Sequence, residues 1–236
     1  EHLLAALAGT GVDNTVVEVD GPEVPIMDGS AAPFVFLIEC AGMAAQPAPR
    51  RAIRIDKPVA VSAPAEGRRA ALVPADRGLS LDVAIAFDTP AIGCQARALA
   101  LDPATFKRDL ARARTFGFLA EVDQLRAAGL ALGGSLDNAV VIDGDRVLND
   151  GGLRYPDEFV RHKILDTVGD LSLAGAPIVG RFTGRCTGHA LNQRLLAALF
   201  ADPAAWSWTD AAPLGPDGAL PAVGPTLPER AVAQRA

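Results

Sequence analysis

The sequence is poor in cysteine and histidine, lacks long apolar runs and carries no excess of positive charge. Its only cysteines are Cys40, Cys94 and Cys186, odd in number and without a CxxC pair. That pattern suits a reducing compartment better than a disulfide framework, so a cytoplasmic protein is expected. No apolar run approaches the roughly 20 residues needed to cross a bilayer. The longest, Ala31 to Met43, is broken by Pro33 and Glu39. With half its residues apolar and 21% charged, the chain reads as globular and soluble. A formal charge of −6 argues against general affinity for nucleic acid, which needs a basic surface, but leaves room for one anionic ligand held by a few cations. The 236 residues suffice for one large domain or two modest ones. No secretion signal is visible, and the sequence runs from Glu1 straight into helical residues, so a missing N-terminal part is expected.

Local patterns predict the elements. His2 to Ala8 reads as a short helix stopped by Gly9, and the β-branched run Thr15 to Val19 as a strand. Gly21 to Ser30 is a loop, followed by a helix from Ala32 to Ala41 with Pro33 in its first turn. Pro47 and Pro49 make Ala44 to Arg50 the best interdomain linker. From Leu79 to Phe87 the apolar residues alternate, which predicts a strand in a sheet covered on one side. Asp102 and Pro103 start a helix running to about Leu110. A short helix is expected over 121 to 128, and a hairpin around Asp143-Gly144 between Ala139 to Ile142 and Arg146 to Leu148. The longest helix should run from Asp157 to Leu173, and the last from His189 to Phe200. Strands and helices mix without a strict βαβ rhythm, so an α+β layered architecture is expected.

The segment 157 to 173 carries the most chemical information. Val160, Ile164, Val168 and Leu171 form one stripe, while His162, Asp166 and Asp170 recur every four residues on a face roughly opposite. A solvated polar face is the ordinary reading of such a stripe. Imidazole and carboxylate one turn apart can also share an ion, which is how helices present zinc ligands. Only three histidines exist, His2, His162 and His189. A catalytic zinc takes three protein ligands and keeps one open position, a count that His2, His162 and Asp166 complete. Glu1 would then serve as general base, and His189 as acid or charge stabiliser at the reacting carbonyl, unless His189 is simply a packed residue at a helix start. Arg112 to Phe118, RARTFGF, reads either as an ordinary edge strand or as a segment whose Thr115 hydroxyl donates to an oxyanion.

These segments together resemble the UDP-3-O-acyl-N-acetylglucosamine deacetylases of Gram-negative bacteria. The blocks are EHLLAALAGTGVDN at 1 to 14, PEVPIMDGSAAPF at 22 to 34, RARTFGF at 112 to 118, GLALGGSLDNAVV at 129 to 141, DEFVRHKILDTVGDL at 157 to 171 and GHALN at 188 to 192. The resemblance implies two similar α+β sandwich domains packed through their helices, the first truncated here. Residues 1 to 46 would close domain one, 47 to 209 would form domain two with an insert near 121 to 138, and 210 to 236 would be a loose tail. It implies one catalytic zinc on His2, His162 and Asp166, with Glu1 as base and His189 as the second catalytic residue oriented by Asp170. Thr115 would bind the oxyanion, and Lys163, Phe116 and Phe118 would lie near the substrate. The insert would form a passage for the acyl chain, with Leu125, Leu130, Leu132 and Leu136 either lining it or serving as ordinary core. Where many members have a lysine three residues before the second catalytic histidine, this chain has Cys186. Arg185 beside it then takes over the diphosphate, or the nucleotide is held differently. The implied reaction is hydrolysis of the acetamide of the acylated UDP-sugar by a monomer. The alternative is a non-catalytic sugar-nucleotide binding protein on the same scaffold. A purely structural module would instead leave the polar face exposed and His2 far from it.

Overall fold

The computed structural model describes residues 1–122 and 133–211. Its elements in chain order are α1 (His2–Thr10), α2 (Ala32–Ala41), β1 (Arg51–Ile55), β2 (Val59–Ala63), β3 (Arg68–Val73), β4 (Leu79–Ala86) and β5 (Cys94–Leu101). A short helix α3 (Pro103–Thr105) then runs into a π-helical turn at Phe106–Leu110. There follow β6 (Phe116–Phe118), β7 (Val140–Asp143), β8 (Arg146–Val147), α4 (Glu158–Ser172), β9 (Ile178–Arg185), α5 (His189–Ala201) and β10 (Trp206–Asp210). The fold is α+β. Seven strands form one sheet in which β9 is the hub, paired in parallel with β1 and β4 and antiparallel with β3. β10 and β2 extend it outward from β1 and β3, and β5 from β4. A second, three-stranded sheet has the order β6-β7-β8.

Helix α4 lies between layers, and this decides its character. It packs on β4 and β5 through one side, on α5 along its flank and on α1 through the other. Phe159, Val160, Ile164, Leu165, Val168 and Leu171 are all buried in the core that the sheet supplies with Ile53, Leu72, Leu81 and Phe182. Each such side chain contributes about 1.5–3 kcal/mol on leaving water. Because α1 covers the remaining face, His162, Asp166 and Asp170 are buried as well, at 1%, 4% and 5% exposure. The reading of that stripe as a solvated polar face is therefore wrong.

Local signals account for most boundaries. Pro33 sits in the first turn of α2. Asp102 caps α3, its carboxylate accepting from the Thr105 amide at 2.8 Å. The turn after Asp143 is a hairpin, with Gly144 at φ 57. Three expectations need correction. Helix α1 continues through Gly9, where the Phe106 ring fills the space a Cβ would take, and stops at Gly11 in the left-handed region. Residues 15–19 form no strand. They are exposed, and β-branched propensity produces a strand only where a neighbouring strand offers a ladder. Strand β4 is not open on its second face: Asp82 and Ala84 are buried too, Asp82 meeting Arg181 of β9 at 2.8 Å. Of the helix expected at 121 to 128, only its first two residues are described, and they are helical. The tail beyond Ala211 lies outside the described residues, as do Leu125, Leu130 and Leu132.

Candidate metal centre and catalytic site

Two close approaches bring the ends of separate elements together. At Gly169 in the last turn of α4, a Cβ would lie 2.4 Å from the Glu1 carbonyl oxygen, so the glycine lets the start of α1 rest directly on the helix backbone. The residues Glu1 and His2 thereby land over the turn of α4 that carries His162 and Asp166. On the other flank, Glu158 in the first turn of α4 is fully buried and receives Arg114 through both its backbone N–H and its guanidinium, at 2.9 Å from Nε. The Arg154 amide adds a further bond to the same carboxylate. This staple holds the segment before β6 against the helix. Next to Arg114, the Ala113 carbonyl lies 3.0 Å from Nδ1 of His162.

A carbonyl can only accept, so Nδ1 of His162 carries a proton and Nε2 is the ring nitrogen turned the other way, toward Asp166. That nitrogen is 3.3 Å from Oδ1 of Asp166, and Nε2 of His2 is 4.0 Å from the same oxygen. The rings of His2 and His162 meet edge to face with centroids 5.0 Å apart. One donor atom from each of His2, His162 and Asp166 lies within 4.8 Å of the others, and all three residues are buried. The other oxygen of Asp166 is taken by Lys163 Nζ at 2.8 Å. Oδ1 of Asp166 and Nε2 of His2 are buried without any hydrogen-bond partner. Buried polar atoms left unpaired are costly. Two imidazole nitrogens and a carboxylate oxygen converge here, two of the three atoms without any hydrogen bond, and a divalent cation would satisfy them, so the donor set fits a metal. Burial first, and then the neighbouring His162, lower the pKa of His2 to about 4, which keeps it neutral. Burial alone would push Asp166 up, but the His162 imidazole and the Lys163 ammonium outweigh it and hold the carboxyl well below its usual range.

His189 opens α5 close to Asp166. Its Nδ1 meets both oxygens of Asp170, at 2.9 and 3.0 Å. That hydrogen bond raises its pKa above the ordinary imidazole value; partial burial opposes the rise, and the Asp166, Asp170 and Glu1 carboxylates support it. Donor atoms of Glu1, Asp166 and His189 also lie within 4.8 Å of one another. A carboxylate and an imidazole thus flank the candidate metal position, both exposed enough to meet a ligand. The polar face is buried and His2 lies on it, which is the opposite of what a purely structural module requires.

Residues 1–201 match the family described as LpxC, UDP-3-O-acyl N-acetylglycosamine deacetylase. The chain belongs to this family. It is 59% identical over 207 residues to a protein of Phenylobacterium zucineum, covering 87% of this chain and 69% of that one. A relative from Acidithiobacillus ferrooxidans is 54% identical over 212 residues, or 89% of this chain and 69% of its own. One from Shewanella frigidimarina is 52% identical over 208 residues, or 87% and 67%. All three are named UDP-3-O-acyl-N-acetylglucosamine deacetylase.

The remaining candidates of this deacetylase-family chain are distributed unevenly. Thr115 is half-buried beside Ala113, its amide donating to the Gly29 carbonyl at 2.8 Å and its own carbonyl accepting from Val140. Phe116 lies 6.3 Å from the His162 ring, and Lys163 Nζ sits 5.3 Å above the Phe116 face, so both border the triad. Phe118 packs on Phe87 at 5.9 Å, one step further out. Arg185 ends β9 exposed, opposite Arg69 in the register, and Cys186 follows at φ 45 as a free, half-buried thiol. Leu136 is 49% exposed. Residue-level reading missed four groups: Gly169, the Ala113 carbonyl, Asn192 and Thr187. Asn192 was within sight, because it lies one turn along α5 from His189 and so faces the same side. A main-chain carbonyl leaves no sequence signal.

Proposed function

We propose that this chain carries the zinc-dependent hydrolysis of the acetamide of UDP-3-O-(3-hydroxyacyl)-N-acetylglucosamine, giving acetate and the free 2-amino sugar nucleotide, the committed step toward lipid A. The observation that carries the reading is the convergence of His2, His162 and Asp166 within 4.8 Å, two of the donor atoms wholly unpartnered, in a chain of this family. Three protein ligands with one position open is the donor count of a catalytic zinc, and zinc when bound polarises the acetamide carbonyl and lowers the pKa of water.

The chain's own residues then divide the work. Glu1 accepts the proton of the attacking water, which adds to the acetamide carbon. The Thr115 hydroxyl donates to the oxygen that gains charge. His189, whose bond to Asp170 favours the protonated ring, gives a proton to the amine nitrogen as the carbon–nitrogen bond breaks. Lys163 holds Asp166 from the side and presents positive charge toward the substrate, with Phe116 beneath it and Phe118 beyond. Arg185 is assigned to the diphosphate, a cationic role that Cys186 cannot fill. We place the first domain's end at residue 46 and the second domain from 47 onward, in a cytoplasmic protein whose three cysteines are all free.

Deacetylation of the acylated UDP-sugar tests the reading directly. Glu1→Ala is expected to keep its metal and lose most turnover. Unchanged turnover removes the base assignment, and a wild-type protein that binds the substrate without releasing acetate would favour a non-catalytic binding protein.

A further inference from the structure

The Asp170 carboxylate faces two donors at once. His189 Nδ1 reaches both of its oxygens, and Nδ2 of Asn192 reaches Oδ2 at 2.8 Å. Asn192 is 1% exposed, so its amide has no solvent to turn to. An amide can present its NH2 or its C=O, and only the NH2 suits a carboxylate; the C=O would set acceptor against acceptor. The choice is settled on the far side, where the buried Thr187 hydroxyl donates to Oδ1 of Asn192 at 2.6 Å. Thr187 stands two residues before His189 and Asn192 three after it, so the link closes on the turn that presents the imidazole.

We infer that Asn192, oriented by Thr187, is a positioning residue for His189. It holds the Asp170 carboxylate in the one rotation in which the imidazole bonds through Nδ1, leaving Nε2 for the side of the site where Glu1 and Asp166 stand. Without the Asn192 donor, the carboxylate loses its buried partner and turns, and the imidazole turns with it. The inference rests on the reading of His189 as the proton donor of the proposed deacetylation.

Three variants in the metal-loaded protein separate positioning from packing. Thr187→Val removes the hydroxyl while keeping the methyl that packs over Gly184. Thr187→Ser keeps the hydroxyl, and Asn192→Ala removes the clamp. Asn192→Ala and Thr187→Val should each lower kcat by about 10- to 100-fold with KM and bound metal unchanged, and Thr187→Ser should stay close to wild type. In NMR spectra at fixed pH, the Nδ1-bound proton of His189 should move in the first two variants and stay in the third. Wild-type kcat in Asn192→Ala, or a Thr187→Ser as impaired as Thr187→Val, overturns the inference. If Asn192→Ala does not fold, the valine and serine pair decides alone. If the wild-type protein releases no acetate, the deacetylase reading fails, and the NMR signal still decides the positioning: an unmoved His189 proton in Thr187→Val refutes it.

Discussion

Replacing Gly169 by alanine sets two effects of opposite sign against each other. Alanine in a helix interior is favoured over glycine by about 0.8–1 kcal/mol, so propensity alone predicts a stabler protein. The new Cβ, however, would stand 2.4 Å from the Glu1 carbonyl oxygen, 3.1 Å from its carbonyl carbon and 3.3 Å from its Cα. Those are backbone atoms and cannot rotate away, so the start of α1 must retreat by about 1 Å to reach ordinary contact distance. Overpacking of this kind costs about 1–3 kcal/mol, which cancels or exceeds the propensity gain. Function should suffer more than stability, because the atoms displaced belong to Glu1 and His2. A 1 Å misplacement of reacting groups costs on the order of 100-fold in rate. Urea unfolding, elemental analysis for zinc and the deacetylation assay, run on the same preparation, should show near-neutral stability, weaker metal retention and a large loss of turnover. A Gly169→Ala protein that is stabler than wild type and fully active would refute the close-approach argument.

His162→Ala should sharply reduce bound zinc by elemental analysis, and full retention would contradict the ligand assignment. Glu158→Ala strands the buried guanidinium of Arg114 and should cost about 3–5 kcal/mol in urea unfolding, and a loss below 1 kcal/mol would show that the ion pair is not a structural staple. In metal-free protein, His2 is more acidic folded than its usual 6.5, at about 4, so the native state binds fewer protons. Its contribution is therefore present above pH 6.5 and lost as pH falls toward 4, up to about 3 kcal/mol. His189 acts in the opposite sense, its raised pKa stabilising below 6.5 and fading as pH rises, but its side chain is 45% exposed and the effect is screened. The pH dependence of unfolding between 7 and 5 should thus be flatter in His2→Gln, and identical slopes would sink the assignment.

Where the fold was legible, the signal was local. The bounds of α2 follow from Pro33 and the apolar run behind it, the hairpin from Asp143-Gly144, and the start of α3 from Asp102. Thr15 to Val19 misled because propensity cannot say whether a partner strand exists. Gly9 misled because one glycine can mark a stop or a tight contact, and only the Phe106 ring decides between them. The triad residues were legible because histidine is scarce and the helical period places His162 over Asp166. What the period could not say is that this stripe faces α1 rather than water, which depends on a crossing made possible at Gly169. The groups that set proton positions, the Ala113 carbonyl and the Thr187–Asn192 link, depend on neighbours far away in sequence or on main chain, and periodicity is silent about both.

The acceptor that fixes the tautomer of His162 is a peptide carbonyl, and a peptide carbonyl cannot be deleted by changing a codon. Substitution at position 113 alters the bulk of a side chain and leaves the oxygen in place. The orientation of this imidazole is therefore insulated from side-chain replacement at 113, and only a change that moves the segment before β6, such as loss of the Arg114–Glu158 staple, would release it.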